Sequence, residues 1–268
     1  MAFPRSPAHD PPPVSRAGVD RTMYLDEHCG ATVRPPVGER WHLPGDARIL
    51  IRVGDARAWA QVGALPPALL PTLALVGPTS KPLRIMADSA QDVVVVPLGP
   101  AEWAQVLPLS AAAVANRISP FDPLRAGALA RDLYAAIRPA MPAAEIARHA
   151  RAVLIRRCDA AAAPGDPLVP RLQAAIDRDE AANAGRIAET LGLSREALGR
   201  TALRHFGFST KSLLMRRRFL RALDRFREAG LTTAAQEGGY RSVPHLLRDA
   251  HLFLGMTPRR YVEQAIAG

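Results

Sequence analysis

Two stretches near the carboxyl end repeat one plan: residues 186–209, RIAETLGLSREALGRTALRHFGFS, and residues 233–257, TAAQEGGYRSVPHLLRDAHLFLGMT. Ala188 and Gly192 recur as Ala235 and Gly239, 47 residues on. One insertion later the offset is 48: Leu198 recurs as Leu246, Arg200 as Arg248, Ala202 as Ala250 and Gly207 as Gly255, and Ser209 is matched by Thr257. Two copies are too few for a solenoid and fit a duplicated compact module. Each copy reads as a helix, a glycine-bearing turn, a second helix and a glycine stop. Ser194 and Ser242 stand where an N-cap is wanted, and Gly207 and Gly255 where a left-handed C-cap is wanted. Ala188 and Ala235 precede their turn glycines by four residues, so two helices can cross closely there. This is the helix-turn-helix plan, whose second helix enters a major groove.

Between the copies, residues 209–229 (STKSLLMRRRFLRALDRFREA) read as one long amphipathic helix that spaces the two modules. The charge agrees with a polyanionic partner. Of 268 residues, 35 are basic and 25 acidic, a net charge of +10, and Lys81 and Lys211 are the only lysines. Residues 171–268 hold 17 basic and 10 acidic side chains, which is most of that excess.

Ile187-Ala188-x-x-Leu191-Gly192-Leu193-Ser194, then Leu198-x-Arg200 and Gly207-x-Ser209, resembles the first half of an AraC/XylS-type DNA-binding domain. Gly239-Tyr240-x-Ser242-x-x-His245-Leu246-x-Arg248, then Gly255-Met256-Thr257-Pro258-x-x-Tyr261, resembles its second half. The resemblance covers roughly residues 170–264. It implies a bacterial transcription regulator whose two recognition helices read successive major grooves, about 34 Å apart on one face of the duplex. Where the family carries an aromatic residue two positions after each recognition-helix arginine, this chain has Ala202 and Ala250. Phe206, Phe208, Leu252 and Phe253 are the candidates to fill that volume.

By that resemblance Arg195, Glu196 and Arg200 on the first recognition helix face bases, and so do Val243, Pro244, Leu247 and Arg248 on the second. Arg200 suits a bidentate fork onto guanine, whereas Glu196 either accepts from cytosine or complements the helix dipole. Three of the four second-helix positions are apolar and offer at most a thymine-methyl contact, so the first module is expected to set sequence choice. Ser194, Thr210, Lys211, Arg216, Arg217, Ser242 and His245 are the candidate phosphate contacts, with a capping or turn role equally open for the serines, Thr210, Lys211 and His245. Arg218 is expected to pair with an acid such as Asp224 or Glu228.

The fold class expected is α+β in two domains. Residues 1–24, with five prolines, read as a tail. Residues 25–160 read as a sensor or association domain, β-rich over 25–99 and helical over 100–160. Within it 48–53 (RILIRV), 73–76 (LALV), 83–86 (LRIM) and 93–98 (VVVVPL) read as strands. Helical stripes follow at Leu129, Leu133, Ile137 and at Ile146, Ala150, Val153, Leu154. Residues 161–170, with Pro164, Gly165 and Pro167, read as a linker, and 171–268 as the double helix-turn-helix domain. The segment 43–46 (LPGD), with 76–78 and 97–99 followed by Trp103, is similar to a small β-rich amino-terminal domain found on some regulators of this family.

Other chemistry finds little support. The adjacent His28 and Cys29 read as an incidental loop pair, the histidines lack metal spacing, and no glycine-rich phosphate loop occurs. No catalytic residue, metal or cofactor is therefore expected. No long apolar run suggests a membrane span. The expected setting is the cytoplasm, on the nucleoid. The partners are double-stranded DNA, a small-molecule effector or a second copy of the chain at the amino-terminal domain, and RNA polymerase if the protein activates. The alternative is a small-molecule-binding protein or enzyme with an auxiliary helix-turn-helix pair.

Overall fold

A computed structural model describes residues 31–33, 38–55, 57–87, 93–138, 141–161, 166–178 and 183–267. The predicted tail, the His28–Cys29 pair and part of the predicted linker lie outside them.

The amino-terminal part is two antiparallel sheets. The five-stranded sheet has the order β1 (Ala31–Val33), β8 (Val93–Leu98), β3 (Ala47–Arg52), β6 (Leu73–Val76), β9 (Ile118–Pro120). The four-stranded sheet has the order β2 (Gly38–His42), β7 (Leu83–Ala87), β4 (Ala58–Val62), β5 (Ala68–Leu69). The four strands expected from sequence are present to within a residue, because β3, β6 and β8 are buried on both faces and therefore read as densely apolar runs, interrupted in β3 by Arg48. Leu50, Ala74, Val76, Val93 and Val95 point between the sheets, onto Ala58, Ala60, Leu83 and Ile85. Ile49, Ile51, Leu73, Leu75, Val94 and Val96 point the other way, onto helices. Those helices are α1 (Pro100–Val106), α2 (Pro123–Ala136) and α3 (Ala143–Asp159), and they bury the predicted stripe residues Leu129, Leu133, Ile146, Ala150, Val153 and Leu154.

The carboxy-terminal part is all helical: α4 (Leu168–Arg178), α5 (Ala184–Leu191), α6 (Arg195–Thr201) with a π-turn over Ala202–Phe206, α7 (Thr210–Glu237), α8 (Val243–Leu254) and α9 (Pro258–Ala267). Helix α4 begins inside the stretch read as linker. Pro170 lies in its first turn, where a missing N–H leaves no bond unmade. Helix α7 is broken at Gly230, whose φ of 82° no helix accommodates, so residues 210–229 are the spacer and 231–237 open the second module.

The two parts meet along a continuous seam. Arg216 of α7, 12% exposed, donates to the carbonyls of Gly45 and Thr79 at 3.1 Å each and pairs with Asp46 at 3.2 Å. Trp41 of β2 stands edge-on to Tyr261 of α9, with centroids 6.3 Å apart, and both join the core of the second module.

His42, beside this seam, carries a prediction. Its Nε2 is buried without a hydrogen-bond partner. Burial first, then the nearby Arg48 and Arg40, lower its pKa to about 3. The unfolded chain would protonate this ring near the ordinary value of about 6.5. The folded state therefore binds fewer protons than the unfolded one below that pH, and stability falls as pH drops from about 6.5 towards 3. Denaturation midpoints measured from pH 7 to 4.5 should fall less steeply in His42→Gln than in the parent, by at most one proton's worth. Parallel profiles would refute a neutral buried His42.

Candidate nucleic-acid interface

Each module is built by local rules. In the first, Asn183 caps α5 by accepting from the Arg186 amide at 3.1 Å, and Gly192 turns the chain in the left-handed region with φ 68°. Ser194 caps α6 by accepting from the Ala197 amide at 3.1 Å. Leu198, Ala202 and Phe206 face inward onto Ile187, Ala188 and Leu213. In the second, Gly239 turns the chain and Ser242 occupies the N-cap of α8, though its side chain makes no cap bond. Leu246, Ala250, Phe253 and Leu254 face inward. Phe206 is buried in the same core as Ala202, and Phe253, stacked on Phe219 with centroids 5.4 Å apart, in the same core as Ala250. Phe208 is half-buried at the edge of the first core, and Leu252 points to solvent.

The opposite faces carry the base-contact candidates. Arg195, Glu196 and Arg200 are exposed on α6; Pro244 and Arg248 are exposed on α8, with Val243 and Leu247 half-buried beside them. Arg200, 67% exposed, pairs with Glu196 one turn earlier at 2.5 Å. An exposed pair of this kind is worth only a few tenths of a kcal/mol, so it opens readily for a base.

The phosphate candidates do not share one environment. Ser194, Lys211 and Ser242 are exposed, and His245 is half-buried, edge-on to Tyr240 with centroids 5.2 Å apart. Thr210, 4% exposed, has its hydroxyl buried. Arg216 is held in the seam, as described above. Arg217 is half-exposed and lies 3.4 Å from Asp177 of α4.

Sequence reasoning missed the residues that hold α8 in place. Arg218 pairs with an acid, as expected, but the acid comes from another helix. Its partner is Asp249 on the buried side of α8, at 2.9 Å, and Glu228 pairs with Arg225 instead. The Tyr240 hydroxyl also donates to Asp249, at 2.9 Å, and the Arg218 guanidinium lies 4.3 Å from the Tyr240 ring centre. Burial, then the Asp249 charge, raise the Tyr240 pKa. Burial opposes the charge on Arg218, but its bond to Asp249 and the neighbouring Tyr240 outweigh it and raise its pKa. An acid six residues before the glycine stop, on an otherwise apolar helix face, was the only signal available in the sequence.

A cavity of about 500 Å³ lies in the seam. Its wall brings together Asp46, Arg48, Glu102 and Arg151 from the amino-terminal part with Asp177 and Arg216 from the helical part. Two of these pairs are preformed, Arg151–Glu102 at 2.6 Å and Arg216–Asp46 at 3.2 Å.

Residues 187–264 match the family of helix-turn-helix domains to which the AraC-type modules belong. This segment is an AraC-type helix-turn-helix domain. The AraC-type domain spans both modules and the spacer between them, 187–264 of the 268 residues. None of the curated proteins matches the chain by sequence. Among solved structures, ToxT from Vibrio cholerae is similar at 10% identity, with a TM-score of 0.47 over 89% of this chain and 98% of that one. ToxT bound to an unsaturated fatty acid is similar at 11% identity, with a TM-score of 0.44 over 86% and 92%. The AraC-like transcriptional activator CuxR is similar at 15% identity, with a TM-score of 0.28 over 77% and 79%. Regulators with an AraC-type domain are in general not enzymes. Among the described residues, no three His, Cys, Asp or Glu side chains are placed to hold a metal, and no helix is long and apolar enough to cross a membrane.

Proposed function

We propose that this protein is a sequence-specific regulator that lays α6 and α8 in successive major grooves of one duplex. The observation that carries this reading is the pair of solvent-facing arginines, Arg200 and Arg248, at equivalent positions of two modules whose other faces are buried. Arg200 forks onto a guanine, and Arg248 with the apolar Val243, Pro244 and Leu247 anchors the second module. Arg195 and Glu196 extend the first reading surface. The exposed Ser194, Lys211 and Ser242 and the half-buried His245 are assigned to phosphates. The seam cavity is where a small effector would act, since its wall joins the amino-terminal sheets to the spacer helix. The protein works in the cytoplasm on the nucleoid, and RNA polymerase is its partner where it activates.

The test is a base-substitution binding profile. Arg200→Ala should lose roughly 1–3 kcal/mol at one guanine position and flatten the profile there. Arg248→Ala should flatten it less. The reverse ranking overturns the division of labour between the modules. An affinity for duplex that hardly changes between 50 and 200 mM salt overturns DNA binding itself.

A further inference from the structure

The loop that joins β6 to β7, residues 77–82 (GPTSKP), touches the first module, the spacer and the second module within four successive residues. Pro78 lies against Gly207, the stop of the first recognition helix, so closely that a Cβ on Gly207 would stand 3.1 Å from the proline ring. The Thr79 carbonyl accepts from Arg216 of the spacer at 3.1 Å. The Lys81 ammonium donates to the Leu252 carbonyl, one of the carbonyls at the end of α8 that have no partner within the helix. A cation there also meets the negative end of the helix dipole.

The loop is itself rigid. Thr79 is fully buried, its amide donates to the Gly45 carbonyl at 2.8 Å, and its hydroxyl accepts from the Gly45 amide at 3.1 Å. Asn116, in the left-handed region with φ 57°, accepts from the Ser80 amide at 2.7 Å and donates to the Ser80 hydroxyl at 3.0 Å. The Asn116 amide donates to the Pro78 carbonyl at 2.8 Å. The stem of Lys81 runs over Gly63, where a Cβ would come within 2.9 Å of it.

Both module joints are glycines with positive φ. Gly207, with φ 80°, ends the first module, and Gly230, with φ 82°, opens the second. A braced wedge that contacts the first joint, the spacer and the far end of the second recognition helix holds all three in one relation. We propose that the 77–82 loop sets the spacing and rotation between the two recognition helices, and so determines which separation of half-sites on DNA the protein accepts. Lys81 and Asn116 are its positioning residues, Lys81 by gripping α8 and Asn116 by bracing the loop.

This proposal rests on the reading that both modules bind one duplex. Simultaneous engagement raises affinity by about 10²–10⁴ only while the geometry of the two sites matches. A duplex selected from a random pool by the wild-type protein serves as the probe, together with versions carrying one or five base pairs inserted or deleted between its half-sites. Wild type should lose about tenfold at one base pair and about a hundredfold at five. Lys81→Met and Asn116→Gly should keep the folded melt and lose no more than about threefold at one base pair, because a looser pair of modules follows the shifted groove. Asn116→Gly retains a residue at ease with positive φ, so it removes the brace without straining the backbone. Full wild-type discrimination in both variants overturns the loop's role while leaving DNA binding intact. Failure of the wild-type protein to select any duplex removes the underlying reading, and the proposal with it.

Discussion

Gly77→Ala is expected to destabilise the protein by about 3 kcal/mol or more, the upper end of the cost of overpacking. Gly77 closes β6 and opens the loop that enters the seam. A Cβ built on it overlaps the Val114 carbonyl oxygen and lies 2.6 Å from the carbonyl carbon. The obstacle is backbone, not the flexible end of a side chain. Neither side can yield cheaply, because the Gly77 amide donates to the Arg117 carbonyl at 3.0 Å and the Asn116 amide to the Pro78 carbonyl at 2.8 Å. For a chain of this size the melting temperature should fall by about 6–12 °C. A melt within 2 °C of wild type would show that the 111–117 segment can move away from the loop, which would also weaken the argument that the wedge is rigid.

Asp249→Ala should have the next largest effect, and it should be local. Asp249, 5% exposed, is the shared acceptor for Arg218 and the Tyr240 hydroxyl. Removing it leaves a guanidinium and a phenol facing an apolar core. Breaking a fully buried pair costs about 3–5 kcal/mol. The Arg218 side chain retains 29% of its exposure, so water offsets part of the loss and about 2–3 kcal/mol remains. Hydrogen exchange should speed up over 231–254 and remain unchanged in α5 and α6. Asp249→Asn, which keeps one acceptor oxygen, should recover part of the protection. Uniform loss of protection across both modules would show that they unfold as one unit and that the triad is not specific to α8.

The helix-turn-helix plan was legible because its determinants are local. Ser194 needs only the amide three residues on, Gly192 and Gly255 need only their own φ, and Leu198 and Leu246 need only a helical period. Strands β3, β6, β7 and β8 were legible because their residues are densely apolar. Strands β2, β4, β5 and β9 were not, since short segments such as Ala58–Val62 and Ile118–Pro120 take their pairing from partners far along the chain.

The same division separates the site residues. Sequence by itself determined that Arg200 and Arg248 face outward, because burying the Leu198 and Leu246 faces leaves them no other side. Only the tertiary structure decided the fate of the arginine run 216–218, whose three members look alike in sequence. Arg216 reaches Asp46, 170 residues away; Arg217 lies beside Asp177; and Arg218 turns to Asp249. A guanidinium on a long flexible stem takes whichever acceptor packing brings within reach, and no period or spacing in the chain encodes that choice.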